Sequence, residues 1–254
     1  MKRVATALVL APTVTWVALG APGWLFTLFV AAIGLIAFYE FDRIAETQGL
    51  TPAGLPGVVA GIVLMVSPEP VLAAIATCLA ALLYALREED FKRSLPGAGV
   101  FLLGVIYIFG AWRCAVELRS IDKHWLIVAL LVSWAGDTAA MYVGKLIGKH
   151  KLAPRVSPGK TWEGAIASVI AGTLVAGGYA LYFIPSASRV LVFAIAAIAN
   201  IAGQYGDLCE SAFKRGANMK DSGSTIPGHG GVLDRIDSCL FSIPAVYLVL
   251  KSLP

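Results

Sequence analysis

The sequence predicts an all-α, polytopic helical membrane protein with about nine transmembrane helices. Three observations carry this. Mean hydropathy over the 254 residues is +0.78. Only 14% of residues are charged, against about 25% in soluble domains. The apolar residues fall in run after run, separated by short polar connectors. A helix needs ~20 mainly apolar residues to cross ~30 Å of hydrocarbon, and it satisfies its own backbone hydrogen bonds there.

The first span, 4–20, follows Met1-Lys2-Arg3. A basic start and an apolar run ending Ala-Leu-Gly-Ala also fit a secretory signal peptide, but eight further spans favour a retained helix. The second span is 22–41, and Glu40, Asp42 and Glu46 read as its end and a solvated face. Spans three and four, 53–67 and 69–86, are short and flanked by Pro and Gly. One tilted hairpin or a re-entrant pair fits them as well. Residues 87–93 read as a charged interfacial loop. The remaining spans are 98–117, 124–144, 161–184, 188–212 and 233–252.

The bases orient the bundle. With the N-terminus inside, only Arg113, Arg119, Lys123, Arg189 and Lys251 of the 20 Lys and Arg lie outside. One miscounted span would scramble that bias, so N-inside, C-outside is expected. The net charge of +4 then faces anionic lipid and implies no nucleic acid. The four cysteines, Cys78, Cys114, Cys209 and Cys239, show no metal spacing and read as small packing residues.

Polar residues gather in three stretches of the second half. In 137–164, Asp137 interrupts an apolar run, with Ser133 on the same helical face. An intramembrane carboxylate marks function unless it is paired, and an ion pair with Lys145 is the structural alternative. Lys145, Lys149, His150, Lys151, Arg155 and Lys160 suit a phosphate or anionic headgroups. Ser157-Pro158 reads as a helix start, with Pro at the first helical position and an anion site at its N-terminus. Gly159-Lys160-Thr161 is no P-loop, because Pro154 stands where the pattern needs Gly.

In 200–215, Asn200, Gln204, Asp207, Ser211 and Lys214 line one face of a helix. Glu210 lies within reach of Asp207, although a polar packing seam would also give such a stripe. In 220–237, Asp234 and Asp237 open the last span, where capping is the ordinary role. Gly228, Gly230 and Gly231 would let backbone N–H groups approach an anion. His229 sits between glycines, and neighbouring zinc ligands are missing. Carboxylates (Asp207, Glu210, Asp221, Asp234, Asp237) thus interleave with bases (Lys214, Arg215, Lys220, Arg235). Hard carboxylate oxygens suit Mg²⁺ bound with phosphates, and the bases suit the phosphates themselves.

Residues 211–237, SAFKRGANMKDSGSTIPGHGGVLDRID, resemble the signature of the phosphatidate cytidylyltransferases, or CDP-diacylglycerol synthases, from Ser211 to Asp237. GQYGDLCES and SPGKTWEG resemble further blocks of that family. The resemblance covers roughly 130–240. It implies that CTP and phosphatidate give CDP-diacylglycerol and pyrophosphate, with Mg²⁺ and room for a second cation. It makes 1–120 a divergent scaffold and 121–254 the catalytic region, with cytoplasmic loops at 145–160 and 213–233.

By this resemblance Asp207, Glu210, Asp234 and Asp237 are the metal ligands, Asp207 and Asp234 foremost. Lys214, Arg215, Lys220 and Arg235 hold the triphosphate or the lipid phosphate. Ser211, Asp221 and the segment Gly228, His229, Gly230, Gly231 belong to the same site. Arg155, Ser157 and Lys160 are expected at the phosphatidate headgroup. The implied setting is a bacterial-type inner membrane with the site facing the cytoplasm, and a homodimer. A CTP-using polyprenol or phytol kinase, or a transporter with intramembrane carboxylates, would share some of these features. A CDP-alcohol phosphatidyltransferase lacks its D-G-x-x-A-R motif here.

Overall fold

The structure, a computed structural model, describes residues 2–225 and 230–253. It is built from helices joined by short connectors, with one two-stranded hairpin. The helices are α1 (Lys2–Leu19), α2 (Gly23–Thr47), α3 (Gly54–Val66), α4 (Pro70–Ala85), α5 (Ser94–Gly104), α6 (Ala111–Ile147), α7 (Trp162–Phe183), α8 (Arg189–Gly216), α9 (Leu233–Ile236) and α10 (Cys239–Ser252). The strands are β1 (Lys151–Ala153) and β2 (Ser157–Thr161).

Among the described residues, four helical stretches are long and apolar enough to cross a membrane: Gly23–Thr47, Phe91–Ile147, Trp162–Phe183 and Arg189–Gly216. The second runs through a π-helical turn at Val105–Gly110. It is interrupted at Asp122, whose backbone is extended (φ −161°, ψ 121°). That break falls between the predicted spans 98–117 and 124–144. Helices α3 and α4 have 13 and 16 residues. At 1.5 Å per residue they reach only about 20 and 24 Å. The last predicted span is divided: α9 is a single turn of four residues, and α10 begins afresh at Cys239.

The chain forms two compact units. The first comprises the chain's start with Pro22–Arg113 and Phe213–Arg235; the second comprises Leu8–Ala21, Cys114–Ala212 and the chain from Ile236 onward. The core of the first unit is aromatic. Phe38 and Phe109 meet at 5.4 Å between ring centroids, and Phe41 meets Phe213 edge-on at 6.1 Å. Glu40 and Asp42 are not on a solvated face: both are buried, at 2% and 7% exposure. The reason is hydrogen bonding. Asp42 accepts from Ala53 N at 3.0 Å and Gly54 N at 2.8 Å, which caps the start of α3. Glu40 has an equivalent role described below.

The second unit packs α6, α7 and α8 around Asn200. Its amide donates to Val132 O at 2.8 Å and Ser168 Oγ at 3.2 Å, and its Oδ1 accepts from Gln204 at 2.8 Å. This close approach requires a bare backbone at Gly172, where an added Cβ would sit 2.5 Å from Asn200 Nδ2 and 2.7 Å from Val132 O. Small residues at such crossings let helices meet backbone to backbone.

The helix expected to begin at Ser157-Pro158 is instead β2. It pairs antiparallel with β1 in the register Lys151↔Thr161 and Ala153↔Ser157. Trp162 N donates to His150 O at 2.9 Å and extends the hairpin's base. The helix α7 then starts at Trp162, because Thr161 is the residue whose hydroxyl caps it, accepting from Gly164 N. Proline is tolerated in β2 because the strand is an edge.

Gly172→Val should lower the thermal midpoint of the detergent-solubilised protein, by about 1–3 kcal/mol of overpacking. Gly178→Ala, with no atom within 4 Å of the added Cβ, should not lower the midpoint and should raise it slightly, since Ala favours a helix interior over Gly by about 0.5–1 kcal/mol.

Candidate functional site

Among the described residues, the buried and half-buried members of the predicted site fall into two polar groups, one in each unit. The first is organised by Glu40. Its Oε1 accepts from Thr225 Oγ1 at 2.6 Å and Val232 N at 3.0 Å. Its Oε2 accepts from Ser222 Oγ at 2.9 Å and Leu233 N at 2.8 Å. The segment 222–233 is thereby tied to α2 from both ends. Gly231 lies so close to Glu40 Oε2 and Ser222 Oγ that a Cβ would collide with both.

Asp234 is the second anchor of this group. Its Oδ2 accepts from Gly231 N at 2.8 Å, Ser222 N at 2.9 Å and Ser222 Oγ at 3.1 Å. Its Oδ1 pairs with Lys214 Nζ at 2.5 Å, with the two side chains only 4% and 10% exposed. The glycine segment therefore presents the Gly231 N–H to the chain's own carboxylate. Asp234 belongs to α9, outside the four span-length helices. Burial opposes its charge, but the hydrogen bond from Lys214 and those from Gly231 and Ser222 outweigh it. The carboxyl is held below its ordinary value. Arg215, Lys220, Asp221 and Arg235 are exposed, and Arg215 donates to Met219 O at 3.0 Å. Gly228 and His229 lie outside the described residues.

The second group surrounds a cavity of about 230 Å³ between the hairpin and α6, α7 and α8. Asp137, Lys160, Thr161, Ser168, Gln204 and Asp207 supply its polar lining. Lys160 Nζ meets Asp207 Oδ2 at 2.6 Å, and Ser211 Oγ donates to Asp207 Oδ1 at 3.3 Å. Asp207, Glu210 and Asp137 lie within electrostatic range of Asp237, and Glu210 is fully buried. Arg155 is exposed in the hairpin turn, and Ser157 lies in β2.

The 200–214 stripe thus splits by role. Asn200 and Gln204 are an interhelical seam, while Asp207, Ser211 and Lys214 enter ionic groups. Glu40 is the functional-site residue that sequence reasoning missed. The cost of an intramembrane carboxylate, which singled out Asp137, applies to it equally.

Among the described residues, no three His, Cys, Asp or Glu side chains are gathered closely enough to hold a metal by themselves. A hard divalent ion of the Mg²⁺ kind commonly takes one or two carboxylates and completes its shell with water and substrate phosphates. The crowding of like charges around Asp237 fits such an ion, with Asp207 and Asp237 as carboxylate donors. Asp234, its oxygens already engaged by Lys214 Nζ, Gly231 N and Ser222 N, fits less well.

The cytidylyltransferase family profile matches residues 1–253. The chain belongs to the cytidylyltransferase family. It is similar to proteins named phosphatidate cytidylyltransferase. One from Staphylococcus aureus (strain COL) is 33% identical over 238 residues, 90% of each chain. One from Bacillus subtilis (strain 168) is 32% identical over 242 residues, 89% of this chain and 88% of that one. The family match therefore extends over both polar groups and over the N-terminal helix that contributes Glu40.

Glu40→Ala should strand the Val232 and Leu233 backbone N–H groups, at about 1–3 kcal/mol for each group left unsatisfied, while Ser222 Oγ keeps Asp234 as acceptor. Hydrogen–deuterium exchange at Val232 and Leu233 should rise by more than about tenfold. Asp234→Asn removes the carboxylate charge that Lys214 Nζ meets at 2.5 Å and should be destabilising, by about 1–3 kcal/mol. The wild-type carboxyl is lowered, so its stabilisation is present at neutral pH and lost as pH falls through the lowered value. Thermal midpoints measured against pH should therefore converge for wild type and Asp234→Asn at the acid end.

Proposed function

We propose that this chain joins CTP to phosphatidate, giving CDP-diacylglycerol and pyrophosphate. The observation that carries the reading is the cavity where Lys160 faces Asp207, bordered by three helices of the membrane-embedded kind and a basic hairpin. A lipid phosphate needs a cationic side chain at the end of apolar helices, and a nucleotide needs entry from water. Near full-length similarity to relatives named phosphatidate cytidylyltransferase supports the same chemistry.

In this reaction a phosphatidate phosphate oxygen attacks the α-phosphorus of CTP. A new P–O bond forms, the bond to the β-phosphate oxygen breaks, and pyrophosphate leaves in line. The attacking monoester is already anionic at neutral pH, with a second pKa of about 6, so no general base is required. Catalysis is then positioning and charge neutralisation. Lys160, with Arg155 and Ser157 on the hairpin, orients the lipid phosphate. Arg215, Lys220 and Arg235 attract the triphosphate, while Lys214 and Asp234 hold the signature segment in place. Asp207 and Asp237, backed by Glu210, would hold Mg²⁺. That ion supplies neutralisation of the phosphoryl oxygens when bound.

The same proposal gives the chain a nine-span, N-inside arrangement with the hairpin cavity facing the cytoplasm. Three of the five bases assigned to the opposite side have structural work there. Arg113 donates to Leu64 O and Ser67 O at the end of α3, and Arg119 and Lys123 donate to carbonyls of residues 18–21 at the end of α1. Cations at helix C-termini are favourable, so these bases do not count against the orientation.

Purified protein given CTP, phosphatidate and Mg²⁺ should release pyrophosphate and form CDP-diacylglycerol, identified by mass spectrometry. Formation of CDP and a phosphorylated lipid alcohol would instead establish a kinase. Asp207→Asn should lower kcat by about 10²–10³-fold; a near-normal rate removes Asp207 from the site.

A further inference from the structure

We propose that Lys160 is a displaceable internal counter-ion for Asp207, so that a phosphate monoester and a divalent cation enter this cavity together and each strengthens the other. The identity of the monoester rests on the proposed activity; the ion exchange does not.

The argument starts from occupancy. Both oxygens of Asp207 are engaged, Oδ2 by Lys160 at 2.6 Å and Oδ1 by Ser211 at 3.3 Å. A divalent cation approaching Asp207 meets an ammonium already in place, and the two repel. A phosphate approaching Lys160 meets an ammonium already neutralised, beside the carboxylates of Asp137 and Asp207. Each ligand alone is therefore disfavoured. Arriving together, the phosphate takes the ammonium and the cation takes the carboxylate, so no charge is left without a partner.

The geometry permits the exchange. The side chains of Lys160 and Asp207 are 25% and 30% exposed, so the pair is accessible from the cavity. The Lys160 backbone is fixed, because β2 pairs with β1 through Lys151↔Thr161 and Thr161 caps α7. Movement is left to the four-carbon lysine stem, which carries a compact ammonium with rotatable donors. Lys214, locked to Asp234 at 10% and 4% exposure respectively, lacks this freedom and is not such a device. Coupling of this kind is reciprocal and commonly amounts to about 5–150-fold.

Mn²⁺ binding to the full chain in detergent, followed by electron paramagnetic resonance without CTP, tests this. Lys160→Gln should bind Mn²⁺ about tenfold more tightly than wild type in the absence of lipid. Lys160→Arg should behave as wild type, and adding Asp207→Asn to Lys160→Gln should abolish the gain. Unchanged or weaker binding by Lys160→Gln, or a gain that survives Asp207→Asn, overturns the proposal. In wild type, short-chain phosphatidate in mixed micelles should tighten Mn²⁺ binding, with Asp207→Asn in the same micelles measuring what the lipid holds alone. Tightening by inorganic phosphate as well supports exchange with a site that reads the phosphate group itself. Tightening by phosphatidate alone supports exchange with a site that also reads the lipid. Tightening by neither overturns the coupling. None of these readouts uses turnover, so a failure of the proposed activity would appear separately, as absent pyrophosphate release.

Discussion

Four hydrogen bonds to one buried carboxylate, Glu40, hold the signature segment in place. Two come from hydroxyls and two from consecutive backbone N–H groups at Val232 and Leu233. Everything nearby follows from that attachment. Gly231 has no side chain because Glu40 and Ser222 occupy the space. Ser222 divides its donors between Glu40 and Asp234. Asp234, held in turn, is presented to Lys214. A carboxylate placed in an apolar helix is thus stabilised by donors from a polar stretch of chain, and Ser222, Thr225, Val232 and Leu233 are held in place by the carboxylate.

The helix α8 takes part in both polar groups. Asp207 and Lys214 lie seven residues apart, two turns, on one face. Each forms an ion pair with a residue supplied by another element, Lys160 in β2 and Asp234 in α9. The two pairs differ in burial, and the difference sets what each can do. A pair with side chains 4% and 10% exposed is costly to separate and suits architecture. A pair 25% and 30% exposed beside a cavity is exchangeable and suits binding.

Hydropathy made the apolar helices legible, because lipid imposes length and composition on every spanning segment. It marked where α1 to α8 run and where the Asp122 break falls. It could not show that α9 and α10 are separate, since Asp234 and Asp237 were read as capping the last span. The hairpin was hidden for a different reason. The eleven residues 151–161, with two prolines, a glycine and three bases among them, carry no periodicity, and the capping hydroxyl of Thr161 decides the helix start over the Pro158 position. The 200–214 stripe was visible as a face, but its division into a packing seam and ionic groups depends on partners in other elements. Glu40 and Asp42 looked solvated because they stand near a span's end. Only the long-range partners show them to be buried.

The Glu40 attachment also has a consequence for biogenesis. Val232 lies 192 residues beyond Glu40. At about 5–20 residues per second, a ribosome takes about 10–40 s to deliver the donors that Glu40 needs. Throughout that interval α2 carries a carboxylate that cannot yet be satisfied by its native partners. Until then the carboxyl avoids the cost of an isolated buried charge only by staying near water or by taking up a proton. Its native environment is therefore one of the last parts of this unit to be completed, although the acid itself is made early.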